Sequence, residues 1–296
     1  MKDYKSTLYV AAGACSYGLL ATIVKYANHL GIHTSLLTFL QFMFGFLVLL
    51  ALNLLSKRNV EEYKVIKFSS KIKLMAWGIS LGLTTTLYYL SIQYIPVSIG
   101  IILLMQSIWI SLVAEALLLR KFPSGVKIIG VIIVLLGTAF ATNIVQSDIA
   151  LNYKGILLGF GAGISYALAI YASSSVEKQL PSPLRSQFLV LGGLLLIVVF
   201  WNIDIVRYMQ IGALPWGLLI AIFGTILPPL LFTKGIPKTG IAMGNIISSL
   251  EIPISILSAM LVLQEVVSGF QCFGILLILI AVIIINLCEQ HELTNA

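Results

Sequence analysis

One carboxylate is the first residue of this chain that invites a chemical reading. Within GNIISSLEIPISILSAMLVLQE, residues 244 to 265, Glu251 stands near the middle of an apolar stretch with Pro253 two positions on. A charged carboxylate at the centre of a bilayer costs at least about 2.5 kcal/mol even on permissive insertion scales, so it must face protein or water. Wound as a helix, the segment puts Ser248, Glu251, Ser255 and Ser258 in one narrow stripe, polar enough to line a cavity, with Asn245 a turn earlier. Pro253 removes one helix hydrogen bond and is expected to free the carbonyl of Ser249 as a further acceptor. Two readings of Glu251 stand side by side: a site for a substrate or a proton, and a buried carboxyl hydrogen-bonded to neighbouring hydroxyls.

A second stripe, Ser107, Ser111 and Glu115, recurs at helical spacing in an earlier segment. Glu115 lies close in sequence to Arg120 and Lys121, which suits a helix-end ion pair or a snorkelling group. Tyr17, Tyr88, Tyr89, Trp109 and Tyr166 sit inside apolar segments and not only at their ends, where aromatic belts normally lie. Trp109 either stacks on a planar substrate or a cation, worth about 0.5–2 kcal/mol, or faces lipid. Gly155, Gly159 and Gly163 read as a close helix-packing face, and Pro228-Pro229 as a break that either opens backbone carbonyls, forms a bend that moves during alternating access, or is a static kink. Glu265 is expected to cap or tether a helix end.

Catalytic or metal-binding sets do not converge. His29, His33 and His291 fall in loops or at the terminus, and Cys15, Cys272 and Cys288 show no CxxC spacing. With no HExxH, nucleophile elbow or phosphate loop, no catalytic residues, metal or cofactor are expected, and an intramembrane enzyme is the disfavoured rival. A channel is disfavoured too, because nothing resembles a selectivity filter.

The elements that must position these residues follow from composition. Of 296 residues, 59% are hydrophobic and 10% charged, with a mean hydropathy of +1.04. Such a balance is that of a polytopic membrane protein. Ten apolar stretches approach the length of about 20 residues that crosses a bilayer: 7–27, 34–55, 73–94, 97–119, 125–144, 154–176, 184–203, 213–233, 240–263 and 268–288. The first continues through Val24 and reads as an uncleaved helix, not a secretory signal. If the N-terminus is cytoplasmic, only Lys25, Lys154 and Arg207 of the 18 Lys and Arg fall outside. Positive charge therefore marks the cytoplasmic side of a bacterial-type inner membrane, with both termini inside. The charge of +7 reports topology, and no reader motif points to nucleic acid.

The second half repeats the first. Ser16-Tyr17 is echoed by Ser165-Tyr166, Gln41-Phe42 by Gln187-Phe188, Ile95-Pro96 by Ile236-Pro237, and Ser124-Gly125 with Gly130 by Ser268-Gly269 with Gly274. The repeats are placed at 1–147 and 148–296. Five helices per half insert with opposite orientations, the inverted plan of many secondary transporters. The expected fold class is thus all-α and polytopic, ten transmembrane helices in two inverted five-helix repeats, and the alignment sets Ser107 against Glu251.

Tyr94-Ile95-Pro96, Gly235-Ile236-Pro237, and Pro253 followed by Leu263-Gln264-Glu265 and Gly274 resemble the EamA family of the drug/metabolite transporter superfamily. Lys121, where the second half has Glu265, and Gln41, where many relatives carry a basic residue, depart from that pattern. The resemblance implies a secondary active transporter of a small polar or amphipathic metabolite, amino-acid-like or cationic. It favours export by alternating access and admits proton coupling through Glu251, with an uptake permease or facilitator as the alternative. It also implies a central cavity lined by the first, third and fourth helices of each half. The substrate-binding candidates are Glu251, Ser248, Ser255, Asn245, Tyr17, Tyr166, Tyr88, Tyr89, Trp109 and Ser107. The partners are a small-molecule substrate and the lipid bilayer; the sequence leaves monomer and homodimer open.

Overall fold

Backbone N–H and C=O groups in hydrocarbon must find partners within the protein, which favours helices. In the computed structural model every described element is helical. The structure describes residues 4–56, 61–62, 66–92, 94–95, 97–142, 152–264 and 266–294. Glu265, Pro96 and the proposed repeat boundary lie outside the described residues.

The chain runs through α1 (Tyr4–His29), α2 (Thr34–Leu55), α3 (Phe68–Ser91), α4a (Val97–Leu104), α4b (Ser107–Leu119) and α5 (Gly125–Ala141). It continues as α6 (Tyr153–Ser175), α7 (Ser182–Arg207), α8 (Leu214–Ala221 and Leu227–Thr239, joined by a π-helix at Ile222–Ile226), α9a (Ile241–Ser248), α9b (Glu251–Leu263) and α10 (Gly269–Thr294). Among the described residues, seven helical spans are long and apolar enough to cross a membrane, counting each broken span as one, and Gly125–Ala141 and Gly269–Ile285 are shorter apolar ones. With α3, whose start carries Lys71 and Lys73, they account for the ten expected segments. Outward faces are aliphatic: Leu117, Val199 and Leu261 are each 73–74% exposed, as lipid contact requires.

Glycines bring the helices of the two halves together. A Cβ on Gly78 or Gly82 of α3 would strike the backbone of Leu189 or Gly193 in α7, and one on Gly192 would strike Met75 in return. Gly274 of α10 meets Gly137 and Ala141 of α5 in the same way. Gly155, Gly159 and Gly163 are buried against Ile95, Leu103 and Ser91, the structural role read from their spacing.

Contacts between segments respect the sidedness read from Lys and Arg. The start of α3 meets the end of α6 through Lys73 and Glu177 (3.3 Å). At the opposite end His33 stacks on Tyr208 at 3.8 Å and Tyr26 packs at a tilt on Trp216 at 5.4 Å, linking the end of α1 and the α1–α2 turn to the end of α7 and the entry of α8.

Arg185, counted from sequence only as a cytoplasmic charge, is fully buried at the lysine-rich end. Its guanidinium donates to the carbonyls of Val176 (3.0 Å), Ser173 (2.7 Å) and Ala172 (3.3 Å), capping α6, and to Thr233 (2.8 Å). The Thr233 carbonyl lacks its helical donor because Pro237, four residues on, has no N–H. Replacing Arg185 by Met should therefore strand several buried acceptors and cost roughly 3 kcal/mol, lowering the thermal unfolding midpoint in detergent by about 6–12 °C. A shift below about 2 °C would show that water replaces the guanidinium without loss.

Candidate substrate site

The ninth span is not one helix bent at Pro253. α9a ends at Ser248 and α9b begins at Glu251, so the carboxylate is the first residue of a half-helix. The fourth span breaks identically between Leu104 and Ser107. Leu250 N–H bonds Ile247 O (3.1 Å) as Gln106 N–H bonds Leu103 O (3.2 Å), and Ile252 N–H bonds Ser249 O (3.0 Å) as Ile108 N–H bonds Met105 O (3.0 Å). The Ser249 carbonyl expected to be free is thus occupied by Ile252. Proline does not cause the break either, since Trp109 holds the position equivalent to Pro253. Arg120 and Gln264, which close α4b and α9b in left-handed conformation (φ 52° and 55°), complete the correspondence.

Three helices, α1, α3 and α6, bring tyrosines to Glu251. Tyr17 of α1 meets Tyr166 of α6 edge to face at 6.5 Å and Phe232 of α8 at 5.7 Å. Both tyrosines follow serines in equivalent roles. Ser16 donates to the carbonyl of Phe223 in α8 (2.8 Å), and Ser165 to that of Ser80 in α3 (2.9 Å). The Tyr166 hydroxyl is buried without a hydrogen bond of good geometry, and the side chains of Ser248 and Glu251 are the polar groups beside it. Tyr17 and Tyr88 also lie within electrostatic reach of the carboxylate. Glu251 itself is half-buried, and among the described residues no cation pairs with it.

The remaining candidates divide. Ser248 is buried and donates to Gly244 O (2.9 Å), while Ser255 is half-buried and its carbonyl accepts from Ser258 (3.0 Å). Asn245 is spent on structure: its Nδ2 donates to Ser107 O (2.7 Å) and Ser111 Oγ (2.8 Å), and Ser107 Oγ lies 3.4 Å from its Oδ1. Tyr89 is 6.0 Å from Tyr88, ring to ring, and packs toward α1 and α2. Trp109 is 37% exposed, with its indole N–H on Gln106 (2.8 Å), about 200° round α4b from Ser107. It stands away from the tyrosines. Glu115 pairs with Lys127 (2.6 Å), not with Arg120 or Lys121, both of which are exposed. Sequence reasoning missed Phe232, Gly18 and Thr22, whose hydroxyl meets that of Ser258.

A bundle of inverted repeats, with paired discontinuous helices and a carboxylate at one break, defines a membrane transporter. The EamA-like transporter family model matches residues 5–143 and 153–287, and the chain belongs to that family. It is 26% identical over 215 residues to the threonine/homoserine exporter RhtA of Salmonella typhimurium, covering 71% of this chain and 70% of the relative. The Escherichia coli K12 protein of the same name is 25% identical over 209 residues, 69% and 68% of the two chains. A protein called an uncharacterized transporter in Synechocystis is 28% identical over 229 residues, 72% of this chain and 65% of its own. A solved crystal structure superposes with a TM-score of 0.79 at 14% identity, covering 98% of this chain and all of the other.

Gly18 lets α1 reach the Glu251 break: a Cβ there would stand 2.6 Å from the Glu251 carbonyl oxygen and 2.7 Å from Ile254 Cβ. Gly18→Val should lower the unfolding midpoint by about 3–10 °C, the overpacking range. Gly161→Ala, facing only the tip of Leu87 at 3.3 Å, should be tolerated. Equal behaviour of the two variants in a thermal scan would contradict this packing.

Proposed function

We propose that this protein is a secondary active exporter of a small amine-bearing metabolite, working by alternating access between its repeats, 1–147 and 148–296. The observation that carries the reading is Glu251, a carboxylate at a helix break with no cation beside it among the described residues and with Tyr17, Tyr88 and Tyr166 close by. A carboxylate with three tyrosines beside it suits an ammonium group, which carboxylates and aromatic rings both attract. Ser248 and Ser255 supply hydroxyls on the same span, while Ser107, buried against Asn245, and Asn245, Tyr89 and Trp109 stay outside the direct contacts. Export is favoured because the named relatives are exporters of threonine and homoserine, both of which carry an amine.

Coupling follows from the same group. Glu251 exchanges a proton for the substrate amine, so binding one excludes the other. The distribution of Lys and Arg supports a cell-membrane location with both termini cytoplasmic. A permease or facilitator working in the opposite direction would use the same groups.

The test is a thermal-shift screen of purified protein against threonine, homoserine and small amines, followed by counterflow with any hit. Glu251→Gln should fold with an unchanged midpoint, lose the ligand-induced shift and lose the pH dependence of counterflow. Unaltered pH-dependent counterflow in that variant would sink the proposal.

A further inference from the structure

The two halves are not joined alike on either side of Glu251. α4b meets α9a along a buried polar ladder. Glu115 Oε2 accepts from the Ala242 N–H (2.7 Å) and its Oε1 from Lys127 Nζ (2.6 Å), while Asn245 bridges Ser111 and Ser107 below it. Glu115, Ser111 and Ser107 share one face of α4b, each a helical turn apart. A carboxylate over the first turn of α9a fills one of its orphan donors and meets the positive end of its dipole. Gly240, at φ 91°, turns the chain into α9a beneath that carboxylate, where a Cβ would stand 3.3 Å from Oε2.

Repeat-related positions carry other chemistry. Ala259 replaces Glu115, Ile101 replaces Asn245, and Gln271 replaces Lys127. Gln271 instead closes a capping box with Ser268, accepting from its N–H (2.9 Å). Across the symmetric seam, α9b therefore has no such ladder among the described residues, and Glu251 and Ser255 are left half-buried. Among the described residues, a polar ladder between the fourth and ninth spans lies at the lysine-rich end alone.

We infer that Glu115 is a positioning residue of the transport cycle: with Lys127 and Asn245 it holds α9a against α4b, shuts the lysine-rich end of the path to Glu251, and lets go when that end opens. Charge-assisted bonds buried in low dielectric are either made or broken, which gives the contact two discrete states. The inference rests on alternating access but concerns entry, not recognition, and it stands or falls independently of what Glu251 binds.

The test needs no substrate. In a background with Cys15, Cys272 and Cys288 changed to Ser, Ser111→Cys reports opening at the ladder and Ser91→Cys, buried at the opposite end, serves as control. Vesicles with the lysine-rich face outward are treated with a membrane-impermeant quaternary-ammonium methanethiosulfonate. Adding Glu115→Gln should speed modification of the Ser111→Cys reporter at least about tenfold, Glu115→Asp should restore much of the protection, and Lys127→Met should give a smaller rise. The control thiol should stay unreactive throughout. An unchanged reporter rate in Glu115→Gln and Lys127→Met overturns the inference, as does an equal rise at the control, which would mean general loosening.

Discussion

A carbonyl left without a donor in hydrocarbon costs several kcal/mol, and this fold repeatedly creates such carbonyls and then fills them. The π-helix at Ile222–Ile226 passes the Leu227 N–H to Ile222, and Pro228 has none to give, so Phe223 loses its backbone donor; the Ser16 hydroxyl takes its place. Pro237 strips the Thr233 carbonyl, and Arg185 answers it. The turns at 105–106 and 249–250 fill their own carbonyls with tighter bonds. Each repair ties one helix to another or re-aims a side chain, so the irregularities that give the bundle its central site also hold it together.

A backbone that repeats with such fidelity would treat its two ends alike. Side chains supply the polarity. Where the first half has Ser107, the second has Glu251, and where the second has Ala259, the first has Glu115. One carboxylate is clamped between a lysine and a helix end, the other left half-buried among tyrosines. Equivalent places in one scaffold thus hold a carboxylate bonded between two helices and one with no cation beside it among the described residues.

Much of this was legible in the sequence. Hydropathy located all ten helices because lipid demands long apolar stretches, and Ser16-Tyr17 with Ser165-Tyr166 announced a pair that the structure brings into ring contact. The helix breaks were less legible. Pro253 pointed to the right neighbourhood for a reason that Trp109, in an equal break, shows to be insufficient. Glu115 invited pairing with its sequence neighbours, but Arg120 leaves the helix in left-handed conformation, and Lys127 returns from α5 to take the contact. Phe232, Gly18 and Thr22 join the site through contacts far apart along the chain, which no local pattern encodes.

The glycine seam between α3 and α7 bears on how such a protein can move. Backbone there lies against backbone on both sides, with Gly78, Gly82 and Gly192 each seated at a single point of the facing helix. Sliding by one residue would drive a side chain into a main chain, whereas a small roll about the line of contact would not. Under the alternating access proposed above, the seam would serve as an axle: its close backbone contacts resist shear between the halves and permit a rocking roll.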